Sequence, residues 1–498
     1  MLFDLVFSLA AAALLRAAAS PLAADARNSK TGNSSDNVQA CLYAENAPIS
    51  TASSLEWADS IRPYNARVQF TPALVVTATD AGHVQAAVRC ASRYGKTVTA
   101  RGGGHSYSSS GLGGEDGHVV VRLDEMFGVT LNADKTATVQ AGARLGHVAA
   151  TLFGQGGRAI SHGSVGMSGH SIHGGFGFSS RLYGLATDWI IEATVVTADG
   201  NVVKASPGQN ADLFWAVRGA GSSFGVVTEF KFNTFAAPSV VTWYNVPFAL
   251  DKDGLVAALV GLQQYAQGDM PAELNMRVVV TQDGTAFDGL YFGTEAQTRS
   301  VLARFLSPLG IDAGGANVTE TDWMGQLKHF DDGDELDQTG PQSATDTFYA
   351  SSLMTSEVPR DGFEAFAGFY LDTAKSTDTD WFVLIDVHGG KNARTAQVAN
   401  SATAYAHRDK VLLWQFYDSS SRAAYPPSGY AFLGNWMSSV TNTMPKSGWG
   451  RYANYADSRL SNADAQDQYY GDNLPLLKTV KAKYDAKGLF TYPQGVGS

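Results

Sequence analysis

The sequence predicts a two-domain α+β protein, and three observations carry that expectation. A strand, helix, strand pattern opens at Pro72; glycine-rich loops punctuate the first half; and the texture changes after Phe235-Ala236-Ala237-Pro238 to long amphipathic stretches between alternating strands. With 498 residues and 44% hydrophobic content, a large core is available. Length alone allows about three domains of ~150 residues or two that pack intimately.

Charge narrows the partners. The formal net charge is -11, charged residues make up 17% of the chain, and no run of Lys or Arg occurs. Nucleic acid and anionic membrane surfaces are therefore excluded as partners. Leu5 to Leu15 are almost wholly apolar and lead into Ala17-Ala18-Ala19-Ser20, so a signal peptide is expected over 1–24, although Asp4 stands where a Lys or Arg is usual. The run is too short for a membrane span. Two sequons, at Asn33 and Asn317, and two cysteines, Cys41 and Cys90, suit an oxidising compartment and one disulfide. Two unpaired buried thiols are the alternative.

The elements follow in order. Leu74 to Thr77 is β-branched, Asp80 can cap a helix carrying Val84, Ala87, Val88 and Ala91, and Val98-Thr99 resumes extended structure. Val119 to Leu123 and Thr136 to Gln140 read as strands, and Leu145 to Phe153 as a helix ending at Gly154. Two β-rich runs in Glu192 to Ala205 meet at Asp199-Gly200, a favoured hairpin turn. A helix from Asp212 to Gly219 precedes the alternating strand Val226 to Phe232. Beyond Pro238, Leu255 to Tyr265 is an amphipathic helix. Trp381 to Val387 places Phe382, Leu384 and Asp386 on one face, and Val411 to Tyr417 pairs Gln415 with Tyr417. Polar groups on an otherwise apolar strand face mark a site.

The glycine-rich loops carry the chemistry. Arg101-Gly102-Gly103-Gly104-His105-Ser106-Tyr107 opens directly after a strand, and its glycines can present several N–H groups to one anion beside the Arg101 charge. His170 to Phe178, with His173, Gly174, Gly175 and Gly177, could add further N–H groups to the same pyrophosphate. Either loop alone reads equally as a tight turn. Gly219 to Phe224 lacks the third glycine of a dinucleotide fingerprint and lies between a helix and a strand, the reverse of the required order, so it reads as a turn. The overlapping G-x-S-x-G at Gly221 fails as a nucleophile elbow for the same reason. His170 and His173 have no carboxylate or cysteine partners to complete a metal site, and none is expected. Trp449 to Asp457 concentrates aromatic groups that suit either a sugar-stacking site or an aromatic core strand.

Taken together, Arg101 to Tyr107, Ser161-His162-Gly163, His173 to Ser180, Trp414 to Asp418 and Tyr452 to Tyr455 resemble the berberine bridge enzyme-like branch of the vanillyl-alcohol oxidase flavoproteins, in particular the fungal oligosaccharide oxidases. The likeness runs from about Cys41 to Tyr492-Pro493-Gln494. It implies an FAD-binding domain from 25–237 and 448–498 and an inserted substrate domain, 238–447, with a large antiparallel sheet. It also implies a covalent bond from His105 to the flavin 8α-methyl group. The cofactor set becomes Arg101, Gly102, Gly103, Gly104, His105, Ser106, His162, Gly163, Ser164, His173, Gly174, Gly175, Gly177, Val226, Tyr492 and Gln494.

Many relatives carry a second tether from a cysteine in a segment like H-G-T-C-P-x-V-G. Here the segment reads His162-Gly163-Ser164-Val165-Gly166, so single attachment through His105 is expected. Tyr455 stands at the family's base position, Asp386 at that of its proton acceptor, and Tyr107, Gln415, Tyr417 and Tyr452 at substrate positions. Because a phenol is a weak base near neutrality, Tyr455 requires surroundings that favour its phenolate. The resemblance thus implies a secreted, monomeric oxidase of oligosaccharides, using O2 and releasing H2O2. An oxidase of a secondary metabolite or phenolic alcohol, and a carbohydrate-binding protein that has lost its flavin, remain as alternatives. Phe382 and Leu384, where polar residues are usual, point to a less polar substrate.

Overall fold

The computed structural model describes residues 34–163, 168–331, 336–340, 344–420 and 424–497. The expected leader, the sequon at Asn33 and the cofactor position Ser164 lie outside the described residues.

Three strands of the first sheet are parallel. The helix Ala81–Arg93, capped by the Asp80 carboxylate on the His83 N–H, carries the chain from Leu74–Thr77 back to Val98–Arg101, as a parallel crossover requires. Val119–Arg122 lies between them, and the short antiparallel strand Ile49–Ser50 covers one edge. A second, antiparallel sheet has the order Val129–Leu131, Ala137–Gln140, Val226–Phe232, Ile190–Val196, Val202–Ala205. Its hairpin turns at Asp199-Gly200, where Gly200 takes φ 78° and the Asp199 carboxylate accepts from the Asn201 N–H. These two sheets share one core, which runs from Val38 to Phe232 and is completed by C-terminal residues from Ala465 to Val496. The Cys41–Cys90 disulfide ties the N-terminal helix Ser34–Ala44 to Ala81–Arg93.

The second core belongs to an antiparallel sheet of eight strands in the order Asn317–Thr321, Val241–Phe248, Thr285–Tyr291, Leu274–Thr281, Asp380–Val387, Leu412–Ser419, Phe348–Thr355, Trp449–Gly450. Side chains alternate between its faces. Tyr244, Val278, Val383, Ile385, Trp414 and Phe416 pack against the helices Lys252–Gln267, Arg360–Asp372 and Pro427–Thr441. The opposite face, which includes Arg277, Leu384, Asp386, Gln415 and Tyr417, looks toward the first half of the chain.

Two expectations need correction. The helix from Leu145 does not stop at Gly154 but runs to Gly156 and ends at Gly157, φ 60°. Gln155 earns its helical place by accepting from the Leu131 N–H, while Gly154 faces open space. Trp449 to Asp457 is not a continuous strand either, since only Trp449–Gly450 joins the sheet and Ala453–Tyr455 forms a 3-10 turn. Among the described residues, no helix is long and apolar enough to cross a membrane. Asn317 is exposed at a sheet edge.

Candidate active site

The glycine loop leaves the carboxyl end of Val98–Arg101, the end of parallel strands at which ligands sit in open α/β sheets. It lines a cleft of about 170 Å³, together with His173, Asn454, Tyr455, Tyr492 and Gln494. Gly104 takes φ 75°, and a Cβ there would come within 3.0 Å of the Arg101 guanidinium, so the tight turn and the packing both require glycine. Arg101 itself turns behind the loop and donates to the Ser60 and Arg62 carbonyls. Its charge therefore fastens the loop's support while the residue also lines the cleft. Asn65, donating to the Tyr107 carbonyl at 2.7 Å, and Ser106, accepting from the Ser110 N–H at 3.0 Å, fix the remainder.

His105 stacks on Tyr64 with ring centroids 3.9 Å apart. Burial, with a smaller contribution from Arg144, pushes its pKa down to about 4, so at neutral pH the imidazole keeps an unprotonated ring nitrogen. That nitrogen and the cleft lined by the glycine loop, Tyr492 and Gln494 fit a flavin dinucleotide bonded at His105.

The second glycine-rich segment serves differently. The N–H groups of Gly175 and Phe176 both donate to the Tyr452 hydroxyl at 3.0 Å, and that of Gly177 to Ser180 Oγ at 2.9 Å. They are engaged within the protein, not turned toward a phosphate. A Cβ at Gly174 would meet the Tyr405 ring at 2.8 Å, and one at Gly177 the His162 carbonyl at 2.1 Å. These glycines allow close packing beneath the cleft. Tyr452 is buried there with them, also accepting from Asn454, and does not line the cleft. His162 and Gly163 border a smaller cavity with Phe178 and Trp323, and Val226 is interior to the second sheet, paired with Val196. His170 accepts from the Gly163 N–H at 2.9 Å, and His173 is hydrogen-bonded to the Gly169 carbonyl.

The C-terminal return delivers Tyr455. Its anchor is Asp457, a buried carboxylate that accepts from Tyr349, Ser351 and Arg451 and so clips the segment to Phe348–Thr355. Gln494 donates to the Asp457 carbonyl at 2.7 Å, and Asn454 to the His170 carbonyl at 3.0 Å. Tyr455 ends up stacked over Tyr107, 5.9 Å between centroids. Gln415 donates to the Tyr107 hydroxyl at 2.9 Å, and Tyr417 donates to Asp346 at 2.6 Å.

Cross-strand register orders the facing sheet into rows. Asn245, Asp288, Arg277 and Asp386 lie directly opposite one another on four adjacent strands. Val279, Leu384 and Gln415 form the next row, and Thr281, Phe382 and Tyr417 the one after. Phe382 and Phe348 stack on Tyr417 at 4.8 and 4.4 Å, extending an apolar shelf. Asp386 is fully buried; its Oδ1 accepts from Arg277 Nε at 3.0 Å, and its Oδ2 has no hydrogen-bond partner. Burial pushes the Asp386 carboxyl up, against the pull of Arg277.

Burial and the nearby Asp386 charge likewise push the Tyr455 phenol well above its usual range, with Arg277 opposing. The expectation of surroundings that favour a phenolate is thus reversed: the resting hydroxyl keeps its proton. Tyr64, Asp346, Asp457, Arg277 and Asp288 were not singled out in the sequence. Only a lone charge inside an apolar strand, as in Met276-Arg277-Val278 and Phe287-Asp288-Gly289, could have flagged the last two.

Residues 72–206 match the FAD binding domain family and 451–497 the berberine and berberine-like family. The xylooligosaccharide oxidase of Thermothelomyces thermophilus is 42% identical over 503 residues, covering 99% of this chain and 98% of its own. Among solved structures, the xylooligosaccharide oxidase from Myceliophthora thermophila C1 in complex with xylobiose superimposes with TM-score 0.90 and 43% identity, over 92% of this chain and 99% of its own. The glucooligosaccharide oxidase from Acremonium strictum, which holds a 6-S-cysteinyl, 8α-N1-histidyl FAD, gives 0.89 and 39%, over 92% and 99%. The cradle at His105, the eight-stranded sheet facing it and these likenesses agree: the chain is an FAD-dependent oxidoreductase and belongs to the berberine bridge enzyme-like branch of the vanillyl-alcohol oxidase flavoproteins.

Proposed function

We propose that this protein is an exported oxidase of oligosaccharides, acting at the reducing-end C1 hydroxyl to give a lactone. The observation that carries this is the position of Tyr455, stacked on Tyr107 at the wall of the His105 cleft with Asp386 within electrostatic reach. FAD bound there supplies the acceptor for the hydride that leaves C1, and O2 takes the electron pair onward as H2O2. Because Tyr455 rests protonated, it works as a relay: its hydroxyl oxygen takes the substrate hydroxyl proton while its own proton passes to Asp386. Tyr107 and Gln415 orient the ring, and the stacked aromatic wall excludes water.

The flavin is tethered through His105 alone. Supporting this, the chain contains two cysteines, and both are consumed in the Cys41–Cys90 disulfide, leaving no thiol for a second bond. The division into 25–237 with 448–498 and an inserted 238–447 accounts for the two separate cores. Export follows from the apolar run Leu5 to Leu15, and the protein acts as a monomer.

A second reading has one observation in its favour. The side chains of Val279, Leu384 and Phe382 offer no hydrogen bonds, Gln415 Nε2 is already given to Tyr107, and the Tyr417 hydroxyl donates to Asp346. Such a surface suits an aromatic or otherwise less polar alcohol. Peroxide release with xylo-, cello- and chito-oligosaccharides, set against cinnamyl alcohol, separates the two. Turnover of cinnamyl alcohol with none of the sugars would overturn the oligosaccharide assignment.

A further inference from the structure

The row Asn245, Asp288, Arg277, Asp386 places two carboxyl groups on either side of one guanidinium, on adjacent strands of a half-buried sheet face, where Asp386 alone of the four is fully buried. Arg277 Nε holds Asp386 Oδ1 at 3.0 Å, and its guanidinium carbon lies 4.1 Å from the centre of the Phe178 ring. Asp288 is hydrogen-bonded to Asn245. Asp386 Oδ2 is buried without a hydrogen-bond partner, on the residue nearest in charge to Tyr455. Buried ion pairs add little net stability over apolar residues of the same volume. Packing alone therefore does not explain this row.

We propose that Arg277 and Asp288 are positioning residues that set the orientation and charge of Asp386, so that its Oδ2 accepts the proton passed on by Tyr455; this rests on the roles of Tyr455 and Asp386 given above. Arg277 occupies one oxygen of Asp386 and thereby presents the other. Asp288 draws on the same cation and weakens its hold on Asp386, keeping that carboxylate basic enough to receive a proton. The titratable groups facing the pair are Arg277 and Tyr455 on one side and Tyr244 behind Asp288. Burial and, to a smaller degree, the Asp386 charge push Asp288 up to about 6, with Arg277 and the Asn245 hydrogen bond opposing, as expected where two carboxyls share one cation. No bond other than O–H is made or broken in this relay: one proton leaves Tyr455 and one arrives at Asp386.

The test is the pH profile of flavin reduction in the holoenzyme under anaerobic conditions, with whichever of xylobiose, cellobiose and cinnamyl alcohol reduces it. Asp386 must be ionised to accept, so the rate falls on the acid side as it protonates. Asp288→Asn leaves Arg277 to Asp386 alone and moves that acid limb to lower pH by about one unit. Arg277→Gln moves it to higher pH and lowers the plateau, and Arg277→Lys brings it back toward wild type. A readout without substrate is available in stability. A carboxyl raised from 3.8 to about 6 stabilises the fold below pH 4, and that contribution is lost as pH climbs to 6. The wild-type melting temperature should therefore fall over this window more than that of Asp288→Asn. Superimposable profiles for Asp288→Asn and wild type, with flavin reduction abolished in Asp386→Asn, overturn the inference even if Arg277→Gln does not fold. Full activity of Asp386→Asn sinks the underlying assignment instead.

Discussion

The two walls of the cleft are built on different principles. On the flavin side, function resides in contiguous sequence: Arg101 to Tyr107 contains the strand end, the turn glycines and the histidine proposed to attach the flavin within seven residues. On the sheet side, Asp288, Arg277, Asp386 and Gln415 come from four strands and meet only through register. A tether needs a local backbone shape, which neighbouring residues can set. Proton transfer and substrate contact need side chains converging on one point, which a sheet face supplies row by row. The first wall is specified by conformation, the second by pairing.

The largest expected effect falls where the walls meet. Tyr455→Phe removes the relay oxygen and should slow flavin reduction by about 10²–10⁴-fold, leaving the flavin spectrum intact. A rate within threefold of wild type, about 0.7 kcal/mol, would show that sheet-side chemistry does not run through this residue. His105→Ala tests the other wall: flavin should be extracted by acid precipitation, and flavin that still resists it would mean a tether elsewhere.

Breaking the Cys41–Cys90 bond by a double Ser substitution should destabilise the protein by about 2–4 kcal/mol in denaturant unfolding, while the pH profile of reduction stays unchanged. Gly104→Ala, strained at φ 75° and crowding Arg101, should cost the loop about 1–2 kcal/mol and lower flavin loading. Leu384→Gln sharpens the comparison most gently. One added hydrogen bond on the shelf should lower KM for an oligosaccharide about threefold to tenfold, and an unchanged KM would favour the less polar substrate.

Much of the fold was legible because its signals are local. Asp80 caps where its position before an apolar helix says it should, and Asp199-Gly200 turns the hairpin. The faces of Trp381 to Val387 follow from alternation alone. Tyr452 misled because an aromatic beside Tyr455 has the same sequence signature whether it faces substrate or, as here, receives the Gly175 and Phe176 N–H groups. For Arg101 the charge was evident in the sequence, but the Ser60 and Arg62 carbonyls that hold it lie some forty residues away.

The sequence by itself determined that a glycine turn presents His105, that the segment after His162-Gly163 carries no cysteine, and that Asp386 shares a strand face with Leu384 and Phe382. These depend on backbone stereochemistry, covalent inventory and the two-residue period of a strand. Only the tertiary structure decided that Cys41 reaches Cys90, that Asp457 clips Tyr455 over Tyr107, and that Arg277 stands between two carboxyls, one of them fully buried. Such pairings depend on strand order and on burial, which weaken or strengthen a charge by what surrounds it, and neither is written in the neighbourhood of any one residue.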